Sequence, residues 1–330
     1  FRPSGCPVRS RWRSRSARRA SRSGARTSLV RDIVRNPYSY LLALPAIAYT
    51  FVFGYATLPF LLMAFQKFSY ETAHFWQNEL IGLKNFEFFF KSQSAVTVTW
   101  NTIRLNFLFI VFSHLAAIGL AMLLNEVRRR WFARLTQTVM LFPYFLSWVV
   151  VSYVVYNIFS SQYGVLNQAL AWFGADPVNW YGRADAWDAI LTIMKIWKEA
   201  GLYAVIYLAA IAGIDGELYE AATIDGANRW QQNRSITLPL LMPTVLILAL
   251  LAIGKIFYGD FAMFYSIIRD NGLLMPTTDV IDTYVFRALR TSGDPAQAMA
   301  VGVYQAVMGF VLVYGANRLI RRYFPEGALY

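Results

Sequence analysis

Six stretches of the chain are apolar for about the length a helix needs to cross a bilayer core, roughly 20 residues. They run over approximately Tyr40–Phe65, Trp100–Leu124, Thr136–Phe159, Ala189–Gly213, Leu238–Gly259 and Ala298–Ile320. Polar or charged sequence separates them. The pattern predicts an all-α, polytopic membrane protein with six transmembrane helices. Pro45 and Pro59 are expected near the ends or at kinks of the first span, Pro143 at a kink in the third, and Pro239 and Pro243 in the first turns of the fifth, because proline removes an intrahelical donor. Lys67–Thr97, Ser160–Trp187 and Asp260–Pro295 are expected to be polar loops.

Composition agrees with this pattern. Of 330 residues, 57% are hydrophobic and 15% charged, against about a quarter charged in a soluble domain. The net charge of +12 is localised rather than general. Residues 1–35 hold eleven arginines and one acid, Asp32. The chain is therefore expected to comprise an Arg-rich cytoplasmic tail, residues 1–35, disordered over Phe1–Arg26, and a membrane domain, residues 36–330. The first residue is not Met, so the tail reads as part of a fragment or as a misplaced start. A basic tail beside a span faces anionic lipid, and nucleic acid is not an expected partner. Further arginines cluster at Arg128–Arg130 and Arg134, and at Arg318, Arg321 and Arg322. By the positive-inside rule these clusters and the tail share the cytoplasmic side, with both termini inside. The segment between the fourth and fifth runs then also faces the cytoplasm.

That segment, Tyr219–Pro239, is longer and more structured than a connector requires. Glu217–Ile224 reads as a short helix with Asp215 as its N-cap. Asp225-Gly226 reads as a bend, and Ala227–Ser235 as a second short helix. Ala221 and Ala222 leave room for another backbone to approach, and Glu220 supplies a charge. The order Glu220-Ala221-Ala222, Asp225-Gly226 and Ile236-x-Leu238-Pro239 resembles the EAA motif of permease subunits in binding-protein-dependent ABC importers. Asn233 departs from the motif, where an aromatic or apolar residue is usual. Gly82-Leu83-x-Asn85-Phe86, Leu124-Asn125-Glu126-Val127, Phe145–Val150, Ile196–Glu199 and Ile281–Val285 are similar to the sugar permeases that import polysaccharide-derived oligosaccharides of the pectic and alginate type.

The resemblance implies that Glu220, Ala221, Ala222, Asp225, Gly226, Leu238 and Pro239 form a coupling element that docks on an ATPase. It implies a second, different permease subunit, two ABC ATPase subunits, an extracytoplasmic solute-binding protein and an oligosaccharide substrate, in a bacterial cytoplasmic (inner) membrane. No cofactor is expected on this chain, with ATP and Mg in the partner subunits. The residues agree: no G-x-x-x-x-G-K-[ST] occurs, and Gly254-Lys255 lacks the upstream glycine that a phosphate loop needs. Cys6 is the one cysteine, and His74 and His114 are the two histidines, so no Cys or His metal cluster is available. An ion-driven secondary transporter and a membrane-embedded glycolipid enzyme are the other classes to weigh. The first gives no reason for the Glu220–Pro239 spacing, and the second needs a catalytic acid or metal site that the residues do not supply.

Ionisable groups inside spans are costly and usually line a cavity or pair with one another. Tyr153, Asn157, Lys198, Glu199, Lys255 and Tyr304 come from four spans at similar predicted depth. They are the expected substrate pathway, where rings stack on a sugar and polar groups take its hydroxyls. The competing reading pairs Lys195 with Glu199 at i, i+4 and makes the tyrosines interfacial anchors.

Overall fold

The computed structural model describes residues 35–71 and 75–323. The arginine-rich stretch 1–34, for which disorder is expected, lies outside them. The chain divides into two units, Phe1–Phe60 and Leu61–Tyr330. In the first, α1 (Pro37–Thr50) starts with proline at its first position and continues through a π-helical turn, Phe51–Tyr55, with no buried residue in either. A helix apolar on every face suits a lipid environment.

The second unit is helical, and among its described residues the one β-bridge joins Gln66 to Leu80. Its helices are α2 (Lys84–Phe90), α3 (Ser94–Asn125), α4 (Arg130–Phe145), α5 (Trp148–Phe159), α6 (Val165–Trp172), α7 (Trp187–Ala212), α8 (Gly216–Ile224), α9 (Arg229–Gln232), α10 (Leu238–Ile253), α11 (Phe261–Ile268), α12 (Met275–Thr278), α13 (Ile281–Ser292) and α14 (Pro295–Tyr323). Among the described residues, four helices are long and apolar enough to cross a membrane as they stand, and up to six if each of two bent pairs counts as one span.

The most extensive helix pair is α3 against α7. Ala117 and Ala121 of α3 and Ala200 and Ala204 of α7 are buried in one cluster with Tyr207, Ile211 and Leu241. Small side chains let helices approach where lipid supplies no hydrophobic drive between them. Gly201 carries this furthest, because a Cβ there would lie 1.9 Å from the Met140 carbonyl oxygen of α4. A second cluster packs α3, α5 and α7 against α11, through Phe109, Trp148, Val151, Trp187, Met263, Phe264 and Ile267.

Three sequence expectations change. The third span is not one helix kinked at Pro143. Its helix continues through Pro143 to Phe145, then turns by 98° into α5. Ser147 caps the new helix by accepting from Val150 N–H at 3.3 Å, which offers the backbone a local alternative to continuing α4. The fifth span starts earlier and ends earlier than expected, running from Arg229 to Ile253. The segment expected to be a second short helix, Ala227–Ser235, is therefore mostly the beginning of this span. A π-turn over Asn233–Thr237 joins α9 to α10. It lies beside Pro239, whose missing N–H would interrupt a regular ladder.

Finally, Asp260–Pro295 is not a polar loop but α11, α12 and α13 packed into the bundle. Met263, Phe264, Ile267 and Ile268 are buried, an i, i+1, i+4, i+5 stripe that periodicity does reveal. The run is too short to span, which is why length alone classed it with the loops.

Gly201→Ala is expected to lower the melting temperature of the purified protein. The new methyl meets main chain, which no rotamer change relieves, and overpacking of this kind costs about 1–3 kcal/mol. Unchanged melting would show that α4 and α7 can separate freely at this point.

Candidate functional site

The break after α10 is built from backbone groups that lost their helical partners. In a membrane such groups must be satisfied inside the protein. Asn106 Nδ2 of α3 donates to the Ile256 and Tyr258 carbonyls at 3.1 and 3.2 Å. Gln305 Nε2 of α14 donates to the Phe257 carbonyl at 2.8 Å. Asp282 of α13 accepts from Gly259 N–H and from Gln305. Thr102 Oγ1 accepts from Ile281 N–H at 2.9 Å, holding the start of α13 to α3.

These braces leave a cavity of about 360 Å³ lined by α3, α7 and residues 252–260. Its polar wall includes Asn106, Ser113, His114, Lys195, Glu199 and Lys255. Lys195 Nζ lies 2.7 Å from Glu199 Oε1 and 2.9 Å from Asp260 Oδ2. The same Asp260 oxygen accepts from the Trp148 indole at 2.7 Å, and Asp260 Oδ1 caps α11 through Met263 N–H. His114 Nδ1 shares a 2.7 Å hydrogen bond with the Tyr207 hydroxyl. Tyr203 packs its ring 4.7 Å from the imidazole and completes an aromatic edge to the cavity.

The six expected pathway residues do not converge. Glu199 and Lys255 line the cavity. Lys198, one residue from Glu199, is buried and does not line the cavity; its amine shares the Trp148 ring with that of Lys195. The Lys198 amine donates to the Tyr144 and Leu146 carbonyls at the C-terminus of α4, and also to the Pro143 carbonyl, which accepts from Leu146 N–H as well. Tyr304 packs among Phe89, Phe90 and Phe257. Tyr153 and Asn157 are exposed on α5, where Asn157 Nδ2 donates to the Tyr153 carbonyl of its own helix. Similar depth does not imply a shared face. Asn106, Ser113 and His114 are absent from the expected set, although three polar residues at i, i+7 and i+8 of an apolar run share one helix face.

The second candidate surface is Asp215–Pro239. Asp215 caps α8 through Glu217 N–H at 3.0 Å, and Gly226 takes φ +80°, as the bend reading requires. Glu220, Ala221, Asp225, Gly226 and Pro239 are exposed, while Ala222 and Leu238 are half-buried. Ile224 and Trp230 stand exposed beside them, at 86% and 70%. Internal ties keep this protrusion rigid: Tyr219 to Thr237 at 2.9 Å, Gln232 to Thr223 at 2.9 Å, and an Asn228–Gln231 capping box. Arg229 and Asn233 reach Glu126 at the end of α3. The departure at Asn233 thus has a local role, since it also accepts from Thr237 Oγ1 inside the π-turn.

Residues 110–324 match the family model described as binding-protein-dependent transport system inner membrane component, and the chain belongs to that family. It is 32% identical over 305 residues to protein LplB of Bacillus subtilis, covering 92% of this chain and 95% of that one. It is 33% identical over 302 residues to the polygalacturonan/rhamnogalacturonan transport system permease protein YteP of the same organism, covering 92% and 93%. Its fold superimposes, with a TM-score of 0.80 at 33% identity, on a chain in the crystal structure of a bacterial ABC transporter involved in import of the acidic polysaccharide alginate. The match covers 90% of this chain and all of the other. The chain is therefore a membrane permease of the ABC importer type, not an ion-driven transporter or a glycolipid enzyme.

Lys198→Met is expected to reduce the yield and melting temperature of the protein, because it strands the Tyr144 and Leu146 carbonyls at about 1–3 kcal/mol for each unsatisfied group. Lys255→Met should leave both nearly unchanged. Equal losses in the two variants, read by size-exclusion yield and thermal melting, would contradict the assignment of Lys198 to the helix end.

Proposed function

We propose that the chain is one of two different permease subunits of an ATP-driven oligosaccharide importer in a bacterial cytoplasmic membrane. The observation that carries the reading is a single element with a site at each end. The helix Arg229–Ile253 begins in the exposed segment at Trp230 and ends at the broken turn that lines the polar cavity. Over 25 residues it spans about 37 Å at 1.5 Å per residue.

In this reading, an extracytoplasmic binding protein delivers the saccharide. Two partner ATPases bind ATP with Mg and close, and they carry Glu220, Ala221, Ala222, Asp225, Gly226, Leu238 and Pro239 with them. The exposed apolar side chains of Ile224 and Trp230 support this segment as a protein-binding surface, since aromatic anchors of this kind dominate interfaces. Its internal hydrogen bonds let it move as one body with α10. Displacement of α10 would then reshape the cavity wall formed by Ala252, Lys255, Tyr258 and Asp260. Glu199 and Lys255 are the expected pathway residues that remain candidates for the saccharide. The arginine clusters support an orientation with the coupling segment and both termini in the cytoplasm.

Glu220→Lys and Gly226→Val are each expected to lower transport at least about tenfold in an assembled complex, the scale of losing one interface hot spot, while ATP hydrolysis becomes independent of substrate. The first reverses an exposed charge, and the second forces a β-branched residue to positive φ. Normal transport by both variants would remove the segment from the coupling role. Separately, a reporter active only in the cytoplasm should be active when fused after Arg130, Arg229 or Arg322 and silent after Gln77, Ala175 or Asn271. The opposite pattern would invert the orientation.

A further inference from the structure

The segment between α5 and α7 carries a helix, α6, whose exposed side is apolar. The helix and its flanks are uncharged: Ser160–Ala175 holds no acidic or basic residue. Asn167 faces inward and is buried. On the opposite side, at i and i+7, are Val165 and Trp172. Trp172 and Phe173 are 86% and 88% exposed, and Tyr163 and Val165 are exposed as well. Gly174, at φ +73°, turns the chain after Phe173, so the two rings stand at the tip of the helix.

The level of α6 is fixed by what Asn167 holds. Its amide donates to the Ser161 and Val178 carbonyls at 3.3 and 2.9 Å. Its oxygen accepts from Val178 N–H and from the Trp180 indole, both at 3.1 Å. Trp180 in turn packs on Phe159, the last residue of α5, with ring centroids 5.9 Å apart. The Phe159 ring is also 6.4 Å from that of Trp187, the first residue of α7, and the Trp187 indole donates to the Trp180 carbonyl. Tyr181 stacks its ring 4.8 Å from Trp187 on a tilted plane. Helix α7 is 26 residues long, about 39 Å at 1.5 Å per residue, and its other end leads into the exposed segment at Asp215. Trp180, Tyr181 and Trp187 therefore gather at one end of a helix of membrane-crossing length, where tryptophan and tyrosine collect in a bilayer. One buried side chain ties α6 to that level.

A protein-binding patch usually has an apolar centre and a polar rim. The rings of α6 instead belong to a stretch with no charge, and the next charge along the chain is Asp176, beyond Gly174. An uncharged helix held at the membrane boundary with its rings outward suits the zone between headgroups and acyl chains. We propose that α6 lies on the bilayer, at the end of α7 remote from the coupling segment, with Trp172 and Phe173 inserted among the lipids. Neutral lipid suffices, since α6 offers no cation to a headgroup phosphate. The anchor fixes one end of the helix that carries Lys195 and Glu199, and it is independent of what the chain transports.

The test uses the full-length permease–ATPase complex in nanodiscs of zwitterionic lipid. Cys6→Ser removes the native thiol, and the partner subunits are made free of cysteine. A nitroxide is attached at Trp172→Cys or at Phe173→Cys. Its collision rates are compared for oxygen, which concentrates in lipid, and for a water-soluble nickel chelate. Both labels are expected to favour oxygen and, on a scale calibrated with labelled phospholipids, to lie about 5–10 Å into the boundary of headgroups and acyl chains. Labels that favour the chelate are in water and overturn the proposal. Labels shielded from both reagents are covered by protein, and shielding that arises only when the solute-binding protein is added assigns the face to that protein. Either result also overturns the proposal. A measurement without labels covers the case in which a cysteine variant fails to assemble. Lipids brominated high in the acyl chain should quench the part of the fluorescence that Trp172→Phe removes. If that part is unquenched, Trp172 is not among the lipids and the proposal fails.

Discussion

A backbone that leaves the helical ladder inside a membrane exposes N–H and C=O groups that no water reaches, and the whole structure is arranged around answering them. The helical ladder breaks after Phe145 and again after Ile253. At the first, Lys198 places its amine on the carbonyls that end α4, where the helix dipole also favours a cation. At the second, Asn106 and Gln305 take the carbonyls of residues 256–258, and Asp282 takes the Gly259 N–H. Each brace comes from a different helix. The first break therefore ties α7 to α4, the second ties α3, α13 and α14 to the turn after α10, and the cavity lies between α3, α7 and that turn.

This arrangement separates polar groups that hold the fold from polar groups that can act. Lys198 and Gln305 are buried and bonded, while Lys195 bridges two carboxylates without leaving the cavity wall. Lys255 and Ser113 are on the same wall and are not engaged by the protein. Neighbours in sequence fall into opposite groups. Lys198 caps a helix end and Glu199 faces the cavity, because adjacent residues on a helix point about 100° apart.

The exposed segment shows the complementary design. Its hydrogen bonds are internal, from Tyr219 to Thr237 and from Gln232 to Thr223, and its large apolar side chains point outward. Internal ties and outward apolar side chains are what the proposed docking surface at the start of this helix requires. The π-turn at Asn233–Thr237 sits between the segment and the rest of that helix, and ties it to α3 through Glu126.

The sequence by itself determined the class of protein, the all-α membrane architecture, and the helix and glycine bend that open the exposed segment. Those depend on local properties: apolar length, an Asp215 cap, and a glycine where φ is positive. It also contained the braces, since Asn85, Lys198 and Asp282 lie in segments on which the family resemblance rests. Asn85, for example, donates to the Ala64 and Gln66 carbonyls. Only the tertiary structure decided what those residues do. The 98° turn after Phe145, the burial of α11 in place of a loop, and the division of the lysines into engaged and free all depend on groups far apart in the chain. Depth along a span can be counted from sequence. Which face a polar group presents, and whether a distant carbonyl waits there, is settled when helices pack and every buried donor and acceptor must find a partner.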